Sequence, residues 1–269
     1  MSIPGIWFPK IFDATKRQKR IKHIDKLDSL NTEKFHEKYS SKCFPFILRS
    51  QFVTLSIEKA IDLLLNEFGS YNLKVRYGDM SNPDNYINRR TAEMPLREFI
   101  KNYFLDSGKS ELAYAGSSEI NTLFLEKLNI KFPAFYPDFF FNEPRMWMGR
   151  AGTTTQLHKD IPDNFAFNYF GKKKWIIYPP KDFPYLYMVN PNEKDYPDFG
   201  ASLVNIKMPD YTKYPKFIKA RKLEFILESG EMFYLPAGWS HYVENIEDTL
   251  MINYWLLREK SPAILGMDK

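Results

Sequence analysis

The chain has 269 residues, 44% hydrophobic and 26% charged, the composition of a soluble globular protein with room for one large domain. No run of 18 apolar residues predicts a membrane span, and MSIPGIWFPK lacks the charged-then-apolar order of a secretory signal. The lone Cys43 excludes an internal disulfide framework or a multi-cysteine metal cluster, so a reducing, cytoplasmic setting is expected.

Of the net charge of +5, residues 1–40 carry +4, with nine basic and five acidic side chains, so no uniformly basic nucleic-acid surface is indicated. Residues 1–42 read as a basic, helical N-terminal extension and 43–269 as one domain. In that domain Ser56 caps a helix running to Phe68, with Ile57, Ala60, Ile61, Leu64, Leu65 and Phe68 on one face and Gly69 as its stop. Pro95 opens a second helix, with Leu96, Phe99, Ile100 and Tyr103 inward, and Ser118 is expected to cap a third that reaches about Asn129. From about residue 145 the pattern shortens to strand-like runs over 165–169, 174–178, 231–235 and 250–257, bounded by Gly, Pro, Asn and Asp. Gly171 and Pro236-Ala237-Gly238 mark turns, and 182–215 reads as a long surface excursion. With 23 Phe and 17 Tyr, the expected fold is mainly β with flanking helices, of α+β or jelly-roll type rather than a parallel βαβ array.

Four histidines limit the chemistry: His23, His36, His158 and His241. Two H-x-D triplets occur, at His23–Asp25 and His158–Asp160. In a strand, residues i and i+2 share a face and can grip one ion; in a helix they point about 200° apart. The first triplet lies in the extension read as helical, and the second before a strand-like run. His241, after the Pro-Ala-Gly turn, supplies a third donor. Two histidines and a carboxylate form the facial set of non-haem Fe(II) oxygenases, though a metalloenzyme of another kind could use the same donors.

The run Thr155-Gln-Leu-His158-Lys-Asp160, then Asn164, Gly171-Lys-Lys173-Lys-Trp175 and Tyr178-Pro-Pro180, resembles the JmjC, cupin-like hydroxylases. So does Ser229-Gly-Glu-Met-Phe-Tyr-Leu-Pro236-Ala-Gly-Trp239-Ser240-His241 with Asn253-Tyr-Trp255, and the nearest branch is that of the asparaginyl hydroxylase of hypoxia-inducible factor. The resemblance implies a double-stranded β-helix whose metal-binding core spans about 145–258. It implies Fe(II) held by His158, Asp160 and His241, with 2-oxoglutarate as cosubstrate and dioxygen consumed. Lys173 would pair with the far carboxylate of 2-oxoglutarate, with Thr155 and, less directly, Tyr114 as hydroxyl donors and Asn164 and Asn253 lining the pocket. The implied reaction hydroxylates a C–H bond, with release of succinate and CO2. A protein or peptide side chain is the expected substrate, with no specific nucleic acid and no membrane partner, and the oligomeric state is left open. A small metabolite fits the same mechanism. The rivals are a cupin metalloenzyme without 2-oxoglutarate and an inactive binding module. Ser240, where many relatives carry a bulky aromatic, is expected to enlarge or wet the site.

Overall fold

Turns with special residues and alternating apolar runs give thirteen strands in a computed structural model, which describes residues 21–49, 54–105, 111–131, 144–160, 162–189 and 200–256. They are β1 (Asp25–Leu27), β2 (Phe46–Leu48), β3 (Asn72–Tyr77), β4 (Arg90–Pro95), β5 (Ala113–Glu119), β6 (Arg145–Gly149) and β7 (Thr154–Lys159). Then follow β8 (Asp163–Phe170), β9 (Lys173–Tyr178), β10 (Leu223–Leu227), β11 (Met232–Leu235), β12 (Ser240–Asn245) and β13 (Thr249–Leu256). Nine pair in the order β1-β2-β11-β8-β13-β6-β5-β3-β4, and a smaller sheet runs β10-β9-β12-β7. Among the described residues only β1 and β2 pair in parallel. The expected mainly β fold with flanking helices is what these elements form.

Strand alternation explains why so much of the chain is aromatic: both faces of the large sheet are covered. On β8, Phe165, Phe167 and Tyr169 face an outer core, while Ala166 faces the small sheet. The outer core is closed by helices: α1 (Thr32–Lys34, continued as a π-turn over Phe35–Ser40), α2 (Ile57–Phe68), α4 (Leu96–Phe99) and α5 (Thr122–Lys127); α3 (Pro83–Ile87) lies apart from it. The inner core joins Trp147, Met251 and Phe233 of the large sheet to Trp175, Ile177 and Val243 of the small one. On the far face of the small sheet, Leu157, Ile176, Tyr178 and Tyr242 are covered by Leu186 and Val204 from the 182–215 excursion and by Phe217 just beyond it. No helix among the described residues is long and apolar enough to cross a membrane.

Several expectations change here. Ser56 does cap α2, its Oγ accepting from Lys59 N at 3.4 Å, and Gly69 does end it, though not in a left-handed conformation. With φ −58° its role is close approach, because a Cβ there would meet Leu65 O at 2.5 Å and the Arg97 guanidinium at 2.9 Å. Ser118 lies inside β5, its Oγ accepting from Lys74 N at 3.0 Å, and the helix beyond it is α5, capped by Asn121. The strands β4 and β5 carry little signal in the sequence, because β4 is largely exposed and β5 is built mostly of small and polar residues. In the N-terminal extension, residues 1–20 lie outside the described set; 25–27 form β1, and Phe35 and Tyr39 are buried in the outer core. His23 and Asp25 are thus not helical. His23 is exposed, and Asp25 accepts from Lys38 at 2.7 Å and Tyr39 at 2.8 Å, a structural use of that carboxylate.

Candidate active site

The small sheet presents three ligand-type atoms to one point. His158 near the end of β7, Asp160 just past it and His241 on β12 have ligand atoms all within 4.8 Å of one another. Each imidazole Nε2 lies 3.7 Å from a different Asp160 oxygen, and the two rings are 4.1 Å apart between centroids. β7 and β12 are neighbours, with His158 opposite His241 in register, so sheet pairing itself brings the histidines together. The turn delivering His241 is anchored from below, since Asp163 accepts from Ala237 N at 2.7 Å and Tyr234 Oη at 3.2 Å.

The donor set suits a divalent ion. His158 Nδ1 lies 2.7 Å from the Gln156 carbonyl, which only accepts, so Nδ1 carries the proton and the Nε2 lone pair faces the triad. Burial, with the neighbouring His158, pushes His241 well below the ordinary imidazole range, which keeps it neutral and ready to ligate. Burial raises the Asp160 carboxyl, opposed by His158, by the Trp255 and Asn164 side chains beside it and by the charge of Arg76. A cation between the three would restore the carboxylate. Trp255 thus stands beside a ligand.

Four residues farther along the same inner face of β9 and β12 lies a second station. Lys173 is fully buried, its Nζ donating to Asn245 Oδ1 at 2.6 Å and Tyr114 Oη at 3.1 Å. Its flanking residues face out and pair elsewhere, Lys172 with Glu247 and Lys174 with Glu224. Lys173 has no carboxylate partner among the described residues, and burial pulls its ammonium down to about 7. The Thr155 hydroxyl bonds to that of Tyr114, whose own ionisation burial makes harder. Asn245 is held in turn, donating to Thr153 Oγ1 at 2.7 Å and Gly149 O at 3.2 Å. Lys173, Tyr114, Thr155 and Asn245 form a cradle for one anionic group. Asn245 was missed in the sequence because an Asn ending a strand carries no motif; its register opposite Lys173 is the signal.

Thr155 and His158 are three apart, so a regular strand would put them on opposite faces. They share one because β7 bulges: Gln156 and Leu157 together oppose Tyr242 between the His241–His158 and Val243–Thr155 pairs. The extra residue is used, since Gln156 Nε2 donates to Ser202 O and Val204 O at 3.2 and 2.7 Å, tying down the excursion.

Asn164 and Asn253 meet each other: Asn253 Nδ2 donates to Asn164 Oδ1 at 3.2 Å, and Asn253 Oδ1 accepts from Trp147 Nε1 at 2.7 Å. With Asn164 also beside Asp160, the chain Trp147–Asn253–Asn164 orients the metal-ligand carboxylate. Ser240 is buried and, by alternation, faces away from His241 with Tyr242, so it neither widens nor wets the triad. Trp175 covers His241 instead, its ring nearly parallel at 5.5 Å.

Comparison with known proteins bears on this arrangement. The family model described as "Cupin-like domain" matches residues 14–260. HSPB1-associated protein 1 of Rattus norvegicus is 33% identical over 156 residues, covering 55% of this chain and 32% of its own length. The 2-oxoglutarate and iron-dependent oxygenase JMJD4 of Gallus gallus is 26% identical over 260 residues, 86% of this chain and 59% of its own. The tRNA wybutosine-synthesizing protein 5 of Homo sapiens is 27% identical over 252 residues, 86% of this chain and 77% of its own. The chain thus spans about a third of the length of the first of these relatives. Together they do not favour the asparaginyl-hydroxylase branch over others.

Proposed function

This chain belongs to the cupin-like domain family, and on that premise we propose that it is an Fe(II)- and 2-oxoglutarate-dependent oxygenase hydroxylating a C–H bond, with release of succinate and CO2. The observation that carries the reading is the pairing of stations: a His-His-Asp triad and a buried ammonium awaiting a carboxylate, on one inner face between two sheets. A metal-only cupin has no use for the second station, and an uncompensated buried cation is costly to retain. The same membership supports reading the two facing sheets as a double-stranded β-helix.

When bound, iron with 2-oxoglutarate and dioxygen supplies the oxidising chemistry; the chain's residues position and protect it. His158, Asp160 and His241 hold the ion and leave further coordination positions for small ligands. Lys173, with Tyr114 and Thr155, receives the far carboxylate of 2-oxoglutarate and keeps its proton once that charge arrives. Trp147, Trp175 and Phe233 exclude water from the space between. A protein or peptide side chain is the substrate class we favour. The feature shared with the asparaginyl-hydroxylase branch is the Asn164–Asn253 pair, whose bond to each other supports a role in setting Asp160.

Anaerobic calorimetry tests the reading. 2-Oxoglutarate is expected to bind the metal-loaded protein, with binding abolished without metal and in Asp160→Ala, and peptides can then be screened for a mass gain of one oxygen. Binding indifferent to metal and to Asp160 would overturn it.

A further inference from the structure

Arg76 is a further buried cation, one with no part in holding the metal or 2-oxoglutarate in the proposed reaction. It lies on β3 opposite Tyr114 in register, so it shares the inner face with Tyr114, while its neighbour Val75 belongs to the outer core. The residue is 9% exposed, and its Nη1 is buried with no hydrogen-bond partner among the described residues. Two rings flank the guanidinium, Trp147 at 5.3 Å and Tyr86 at 6.0 Å from its central carbon. Gly116 leaves it room, since a Cβ there would lie 3.4 Å from Arg76 Nε. Tyr86 also stands 6.1 Å from the His158 ring, so one aromatic wall runs from the guanidinium to a metal ligand.

Charge balance asks what this cation is for. Once loaded, the chamber would hold a divalent ion, Lys173 and Arg76 against Asp160 and a dicarboxylate, leaving one positive charge unmatched. A flat guanidinium between two rings, with one edge unsatisfied, suits a planar anion that accepts through two oxygens. A buried unpaired donor is costly unless something arrives to use it. We propose that Arg76 anchors a carboxylate on the molecule being oxidised, so that the substrate is a carboxylate-bearing compound whose reacting C–H lies between Arg76 and the triad. The inference rests on the oxygenase reading and names its substrate class. That carboxylate belongs either to a free amino or other organic acid or to an acidic side chain of a peptide, and the experiment separates the two.

The test uses the full chain loaded with Mn(II) and saturated with 2-oxoglutarate, following paramagnetic relaxation of the methyl protons of acetate, with acetamide as neutral control. Acetate, not acetamide, is expected to show saturable enhancement, weakened at least about tenfold in Arg76→Gln and largely kept in Arg76→Lys. Circular dichroism of each variant establishes folding. Glycine and an end-blocked aspartyl peptide then separate the two sources; binding of either, dependent on Arg76, supports the proposal and assigns the source. Enhancement equal in wild type and Arg76→Gln overturns it. So does loss of Mn(II) affinity in Arg76→Gln, which would make Arg76 a counter-charge to Asp160, or an equal loss of 2-oxoglutarate affinity, which would make it a cosubstrate ligand. If wild type fails to bind 2-oxoglutarate, the oxygenase reading fails separately, and the acetate measurement can still be read on the Mn(II) form.

Discussion

Lys173 shows how one side chain can be both a liability and a recognition device. Among the described residues its buried ammonium has no counter-ion and is held by the neutral oxygens of Asn245 and Tyr114. That costs free energy until a carboxylate enters. Lys173→Met keeps the length and removes the charge, so 2-oxoglutarate affinity is expected to fall by about 2–5 kcal/mol, the cost of stranding a buried carboxylate. Metal binding should not change, because none of the three ligands lies on β9 and Lys173 touches none of them. Calorimetry with 2-oxoglutarate and with Mn(II) separates the two. Equal loss of both would mean that the variant disturbs the sheet and not the cradle.

At the scale of elements, close approach between strands sets the cradle's shape. Gly149 on β6 pairs with Tyr114 on β5, and a Cβ there would lie 2.5 Å from the tyrosine ring and 2.7 Å from Thr153 Oγ1. Gly149→Ala is therefore expected to displace Tyr114 and Thr153, and through Thr153 the Asn245 that holds Lys173. Overpacking of this kind costs about 1–3 kcal/mol. The readout is a raised KM for 2-oxoglutarate with unaltered Mn(II) affinity; an unaltered KM would show that the cradle tolerates the shift. This scale also marks where the sequence stopped being readable. His158, Asp160 and His241 were legible because few histidines exist and the second H-x-D triplet stands beside strand-like runs, although the first proved non-helical as well. The strands around 165–178, 231–235 and 250–256 were legible through their turns. The bulge at Gln156–Leu157 was not, since a one-residue register shift leaves no mark on composition. Nor was Arg76: one arginine in a short strand looks solvated until β5 and α3 close over it.

Across the whole molecule, stability and chemistry occupy different layers. The outer core supplies cohesion, and Phe35 is its clearest test: fully buried, it meets Phe46, Phe165 and Tyr234 at ring distances of 6.2, 5.9 and 5.3 Å. Phe35→Ala should lower unfolding free energy by about 3–5 kcal/mol in denaturant titration, with 2-oxoglutarate affinity unchanged where the variant is folded.

The inner layer works against folding, and pH exposes it. Burial draws Lys173 in this layer, and Lys159 on the far face of the small sheet over the Phe183 ring, down to about 7 from an ordinary 10.5. Between those values the unfolded chain binds more protons than the folded one, so unfolding free energy rises with pH. The penalty is therefore fully present below about pH 7 and is relieved as the pH climbs toward 10.5. His241, depressed below 6.5, adds the same sign on the acid side. Metal- and 2-oxoglutarate-free protein is expected to become more stable from pH 7 to 10, by chemical denaturation at fixed ionic strength, and Lys173→Met should show a smaller slope. Saturating metal and 2-oxoglutarate should flatten it too, because the cosubstrate's carboxylate restores the ammonium's affinity for its proton. A slope identical in wild type and Lys173→Met would place the buried charge elsewhere.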